Sequence, residues 1–246
     1  MTHPFSLYGK TVLVTGATAG LGRQTAISAA MMGAKVIVTG RNEERLNATL
    51  DQLEGSGHSA FVADLINQEQ RDLLATKLPA LDGIAHCAGV TLLHPFKFSD
   101  EKRYREVYAI NVEAPLFLTQ RLFKNRKLAN GGSICFIASL GAFIGARGHS
   151  IYARSKAAIV GIMRVLAHEL AGNGIRVNCV SPGMVKTEVV EGFAQQVSAE
   201  VVAADEARYP LGYGTPEDVA NTVIFYLAPA SKWITGTNLI MDGGLT

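Results

Sequence analysis

"TVLVTGATAGLGR", residues 11–23, joins an apolar β-branched run to a turn with glycines at 16, 20 and 22, then passes straight into a helical pattern. Without a Cβ, the backbone of such a turn can press against a diphosphate while the free N–H groups of the helix start point at it. The spacing is TGxxxGxG rather than GxGxxG, and its place after the first strand favours a dinucleotide loop over a plain tight turn. Gly16, Thr18, Gly20, Leu21 and Gly22 are its candidate contacts. The nearby "GKT" at 9–11 is no Walker lysine, because Pro4 holds the place of the earlier glycine.

Outward from this loop, β-rich apolar runs recur at 11–16, 35–40, 59–64, 82–89, 132–139, 174–183 and 238–244. Six of the seven are apolar on both alternating faces, the pattern of strands covered by helices on both sides. Helical segments lie between them, such as "RNEERLNATLDQLEG" with apolar Leu46, Leu50 and Leu53 among charges. Strand and helix in alternation predict an α/β fold, a Rossmann-type doubly wound seven-stranded parallel sheet with helices on both faces. No linker interrupts it, so residues 1–246 are expected to form a single domain. Residues 184–214 break the rhythm without a strand. An insert after a strand's carboxyl end lies over the ligand crevice, so this one is read as a substrate cover, with a surface excursion as the alternative.

A chain of 246 residues, 48% of them hydrophobic and 18% charged, buries enough surface to need neither disulfide nor structural metal. Its net charge of +2 contains no basic stripe, which argues against nucleic acid. Neither a signal-like N-terminus nor an apolar run of spanning length is present, so no membrane is expected and the cytoplasm is the expected location. Cys87, Cys135 and Cys179 lie far apart inside apolar runs, as buried small hydrophobes would.

The end of the second strand selects the nucleotide. A carboxylate there accepts from a ribose 2′-hydroxyl, and a guanidinium favours a 2′-phosphate. This chain has Gly40 and Arg41, so NADP(H) is preferred over NAD(H), unless Arg41 is occupied by Glu44. Asp64, past the third strand, either accepts from the adenine amine or caps the helix starting near Asn67.

"HSIYARSK", 149–156, places Tyr152 and Lys156 on one helical face, and Ser139 ends the fifth strand. All three can face one cofactor at the carboxyl edge of the sheet. Charges about 4 Å apart at an effective dielectric near 20 interact by roughly 4 kcal/mol, some three pKa units. Lys156 is therefore expected to bring the Tyr152 phenol close to neutrality, where it can exchange protons with a substrate oxygen. A dinucleotide sensor that has lost turnover would have no need of that pair.

Together these residues resemble the short-chain dehydrogenase/reductases, over almost the whole chain: TGxxxGxG at 15–22, "CAG" at 87–89, Asn111 in "YAINVEAP", Ser139, YxxxK at 152–156, "PGMVKT" at 182–187 and "ITGTNLIMDGG". The closest look is to 3-oxoacyl-carrier-protein reductases, so a 3-oxoacyl thioester is one expected substrate and a sugar, steroid or polyol the alternative. The resemblance implies an Asn111–Ser139–Tyr152–Lys156 tetrad in which the asparagine helps hold a water in a proton relay and the lysine also grips the nicotinamide ribose. It further implies cofactor contacts at Leu65, Ala88, Gly89, Pro182 and Gly183, with Thr187 and the backbone near Val185 on the carboxamide. Helices around 101–128 and 150–171 would pair in a homotetramer. Two departures stand out. Cys87 replaces the usual asparagine, which should loosen local hydrogen bonding. Asn130 and Asn173 replace arginines where a carrier docks, with Arg126, Lys127 and Arg176 near enough to compensate.

His86 is expected to pack inside its strand and His94 to sit on a loop. "HELAG" at 168–172 lacks the second histidine of a zinc helix, so no metal is expected. Trp233 is assigned to a subunit interface or the sheet edge.

Overall fold

The computed structural model describes residues 3–188 and 198–246. Seven parallel strands form one sheet in the order β3-β2-β1-β4-β5-β6-β7. They are β1 Thr11–Thr15, β2 Lys35–Gly40, β3 Ser59–Val62, β4 Leu81–His86, β5 Leu128–Ile137, β6 Arg176–Pro182 and β7 Asn238–Met241. The helices are α1 Gly20–Met31, α2 Glu43–Leu50, α3 Gln68–Lys77, α4 Glu101–Tyr108, α5 Ala114–Lys124, α6 Ser150–Glu169, α7 Ala199–Glu206 and α8 Pro216–Leu227.

Alternation along the strands splits the core into two layers. Val12, Val14, Val36, Val38 and Ile137 pack with α1, α2 and α8, while Leu13, Ile37, Ile134 and Phe136 pack with α3, α5 and α6. All the carboxyl ends lie along one edge, and the order reverses between β1 and β4. There the loops after the two strands diverge and open a crevice.

Strand ends fall short of the apolar runs for a local reason. After His86 the N–H groups of Cys87 and Ala88 both turn to the Thr15 hydroxyl at 3.1 Å instead of continuing a ladder. The Cys87 thiol itself reaches the Thr25 hydroxyl at 3.8 Å. The helical stretch expected around 101–128 is also interrupted: residues Ala109–Glu113 form a π turn between α4 and α5.

Arg176 is buried on β6 and donates to the carbonyls of Tyr226, at 2.7 Å, and Ala228, at 3.2 Å, at the end of α8. It satisfies orphan carbonyls of a helix terminus and cannot serve a docking surface, which corrects the compensating role expected of it. Trp233 is 96% exposed in this chain.

Candidate active site

Four segments converge at the carboxyl edge. The glycine loop comes first. Gly16 has φ +66, and a Cβ there would lie 2.6 Å from the Ala88 Cα; a Cβ on Gly22 would lie 2.3 Å from the Gly16 carbonyl oxygen. Gly16 thus lets β1 and β4 close up, and Gly22 lets α1 start against the loop. Side chains of Asn42, Asn67, Asp100 and Thr215 cap α2, α3, α4 and α8. Ala19 gives α1 no such cap, and its first turn has no acid. Uncapped N–H groups at a glycine cradle fit an anionic diphosphate.

At the end of β2, a Cβ on Gly40 would meet the Thr18 methyl at 2.7 Å. A carboxylate side chain is thus sterically disfavoured there as well as absent. Arg41 is exposed, and its side chain forms no ion pair with Glu44 among the described residues. Asp64 does not cap α3; Asn67 does, accepting from the Gln70 N–H at 3.0 Å. Leu65 buries its side chain in the core, and its carbonyl accepts from Arg71 at 2.6 Å, so only its remaining backbone can meet a ligand.

Asn111 lies inside the π turn, 2% exposed. Its Oδ1 accepts from the Val90 N–H at 2.8 Å, and its Nδ2 donates to the Val90 carbonyl and to Ser155 Oγ, both at 3.0 Å. Ser155 Oγ in turn donates to the Tyr152 carbonyl at 2.7 Å. The loop after β4 and the first turn of α6 are thereby held through one amide. Pro115 has no N–H to offer the Asn111 carbonyl four residues back, so that carbonyl lacks its ordinary helical donor. Ser155, fully buried, was missed in the sequence although it lies inside the "YARSK" motif.

Ser139 Oγ accepts from the Gly141 N–H at 3.1 Å and stands within hydrogen-bonding reach of the Tyr152 phenol. Lys156 is buried, and its Nζ donates to the Ile137 carbonyl at 2.8 Å. A Cβ on Gly89 would stand 3.0 Å from Asn111 Oδ1 and 3.3 Å from Lys156 Nζ, so that glycine admits both groups. Asn111, Ser139, Tyr152 and Lys156 do come together beside Ala88 and Gly89. Farther along the same edge, the Gly183 N–H donates to the Met241 carbonyl after Pro182, Val185 bridges to Gly214, and the Thr187 methyl lies 3.6 Å from where a Gly20 Cβ would be.

Burial dominates the electrostatics of the Tyr152 and Lys156 groups in the chain by itself. Burial pushes the Tyr152 phenol up, against a lowering hydrogen bond from Ser139, and pulls the Lys156 ammonium down to about 8. Lys156 Nζ is directed at the Ile137 carbonyl and stands 5.9 Å from the centroid of the Tyr152 ring.

His86 packs in β4 as expected, stacked on Phe136 with centroids 4.8 Å apart, and His94 lies on the following loop. The Thr119 hydroxyl donates to the Pro115 carbonyl, so His86 Nε2 must donate to Thr119 across 2.8 Å. Burial drives His86 down to about 3. The unfolded chain then binds the extra proton between its ordinary value near 6.5 and 3, so stability falls as pH falls through that window. Acidification from pH 7 to pH 5 is expected to remove about 2 kcal/mol through this residue. Urea unfolding of the protein and of His86→Leu at both pH values measures it; an equal acid-side loss in both would assign the effect elsewhere.

A family model described as enoyl-(acyl carrier protein) reductase matches residues 16–246. The chain is 36% identical to a tropinone reductase homologue of Arabidopsis thaliana, over 98% of this chain and 94% of that one. The chain belongs to the short-chain dehydrogenase/reductase family. A 3-oxoacyl-[acyl-carrier-protein] reductase of Rickettsia felis is 33% identical over 97% of this chain and 98% of its own. Among solved structures of similar proteins, a candidate NAD(P)-dependent gluconate 5-dehydrogenase of Beutenbergia cavernae, with bound NADP at low occupancy, superposes with a TM-score of 0.89 at 36% identity, covering 99% of both chains. This short-chain dehydrogenase/reductase is therefore an oxidoreductase with the seven-stranded family sheet. Among its described residues, no helix is long and apolar enough to cross a membrane.

Proposed function

We propose that this enzyme transfers a hydride between NADP(H) and a ketone or secondary alcohol, as one dinucleotide-binding domain in a cytoplasmic homotetramer. The observation that carries the reading is the Asn111 amide, which holds the loop after β4 and the Tyr152 turn of α6 together beside the glycine cradle. A bound nicotinamide would supply or accept the hydride. Gly16, Thr18, Gly20, Leu21 and Gly22 would hold its diphosphate, Asp64 and Leu65 the adenine, and Lys156 the ribose. Ala88, Gly89, Pro182, Gly183, Val185 and Thr187 would line the nicotinamide end.

Ser139 orients the substrate oxygen, and Tyr152 delivers its proton there as negative charge develops. The same phenol can give that proton in carbonyl reduction and take it back in alcohol oxidation. Asn111 and Lys156 form the inner end of a route that returns the proton from solvent.

The mouth supports an acyl substrate. Val90, Leu93, Phe96 and Phe143 are exposed on the loops after β4 and β5, and Val90 is joined through its backbone to Asn111. Such a rim suits the chain of a 3-oxoacyl thioester. A second reading, a small polar sugar or polyol free of any carrier, is favoured by the neutral Asn130–Asn173 pair at 3.3 Å and by the burial of Arg176. NADPH oxidation with 3-oxoacyl thioesters, free and carrier-bound, against polyol-derived ketones separates the two. Activity confined to the polyol ketones would overturn the acyl reading.

Arg41 accounts for the nucleotide preference. Arg41→Ala is expected to raise KM for NADPH about tenfold, as for loss of a charge-assisted bond, with little change for NADH. Equal changes would show that the guanidinium does not meet the phosphate.

A further inference from the structure

Three consecutive residues past β6 join parts of the molecule that the sheet does not connect. Glu188 Oε1 accepts from Arg23 Nη1 at 2.9 Å, and Arg23 Nη2 donates to the Thr18 carbonyl of the glycine loop at 2.6 Å. Lys186 Nζ pairs with Glu206 Oε1 at 2.8 Å at the end of α7. Between them, the Thr187 methyl faces Gly20. The segment is also held by backbone bonds, Lys186 N–H to the Gly214 carbonyl and Gly214 N–H to the Met184 carbonyl. No side chain of α7 is fully buried, so the ion pair at its end is one of the contacts that place it.

Arg23 is the unusual member. Only 29% of its side chain is exposed and its Nε is buried without a partner, yet its other two nitrogens are divided between a loop carbonyl and a carboxylate on a different element. Withholding a guanidinium nitrogen from water costs free energy. The cost is borne where the glycine loop and the segment after Pro182 face each other, the two walls of the nucleotide crevice.

We propose that Arg23 is a positioning residue for the dinucleotide. It holds the Thr18 turn and, through Glu188, the Thr187 wall at one separation, while Lys186 extends the same strap to α7. Arg23 itself touches no reacting atom. Its contribution is to cofactor affinity, and the Glu188 part of that contribution is screened by salt because Glu188 is half exposed.

The inference rests on the dinucleotide reading of the glycine loop. It is tested by NADPH fluorescence titration of the full chain at low and high ionic strength, with kcat measured at saturating NADPH. Glu188→Gln should weaken binding about threefold at low salt, within the range of a partly exposed pair, and the difference should vanish at high salt. Arg23→Met should weaken binding about tenfold at both, because its bond to Thr18 is lost as well. Adding Glu188→Gln to Arg23→Met should then weaken binding no further, with kcat held within about twofold in every variant. Should Arg23→Met fail to fold, the salt dependence of Glu188→Gln alone decides. Additive losses, a salt-independent Glu188→Gln defect, or a defect in kcat with unchanged NADPH affinity would each overturn the proposal. Failure of the unaltered protein to bind NADPH would overturn the dinucleotide reading itself.

Discussion

Tyr152→Phe is expected to lose at least about a thousandfold in kcat, within the range associated with a positioned proton donor, while NADPH affinity changes by less than about twofold. The variant removes one oxygen and leaves the ring, so the packing of α6 and the bond from Lys156 to the Ile137 carbonyl persist. The deciding contrast lies between two measurements on one sample, turnover with a reactive ketone and nucleotide binding without one. Substantial residual turnover would remove the phenol from the proton-transfer role. Parallel loss of binding would mean that the hydroxyl organises the crevice rather than the chemistry. The loss should appear in both directions, since one hydroxyl gives the proton in reduction and takes it in oxidation.

Gly16→Val should have the largest combined effect on stability and binding. Its backbone lies in the left-handed region, and a Cβ would press to 2.6 Å on the Ala88 Cα and 2.7 Å on the Ala88 nitrogen. Neither neighbour is a side chain that can rotate away. Ala88 is also held by the Thr15 hydroxyl, so the two strand ends would have to separate. Overpacking costs about 1–3 kcal/mol and the left-handed backbone about 1–2 kcal/mol more. For a protein of this size a loss of that order lowers the unfolding midpoint by roughly 5–15 °C, and displacement of the cradle should weaken NADPH binding at least about a hundredfold. Gly172→Ala, in the turn after α6, is the control: nothing described stands within 4 Å of its Cβ and its backbone lies outside the left-handed region, so it should stabilise by about 0.4–1 kcal/mol. A melting scan and a binding titration of both variants suffice. An unchanged midpoint for Gly16→Val would show that the close approach of β1 and β4 is not required.

The sheet was legible because its causes are local. β-branched runs apolar on both faces can be buried only between two helical layers, and the glycines at 16 and 22 mark places where backbones meet. The positions of Ser139, Tyr152 and Lys156 follow from the same logic, since strand ends and helical spacing place them on one edge. Harder to see were Ser155, whose hydroxyl matters only because Asn111 reaches it across 3.0 Å, and the π turn around Asn111. The Pro115 signal for that turn was present four residues on, but a proline near a helix start is ordinary. Arg176 was misread because a cation at a strand start looks like surface until the carbonyls at the end of α8 are seen around it.

The order of residues along the chain determined the fold, the family and which side chains could share a site, because backbone sterics, hydrophobic alternation and helical period act over a few residues. The proton affinities of Tyr152 and Lys156, the second role of Arg23 and the neutral pair at Asn130 and Asn173 were decided only by tertiary structure. Desolvation and charge pairing depend on distances between segments far apart in sequence, and those distances exist only once the strands and helices have packed.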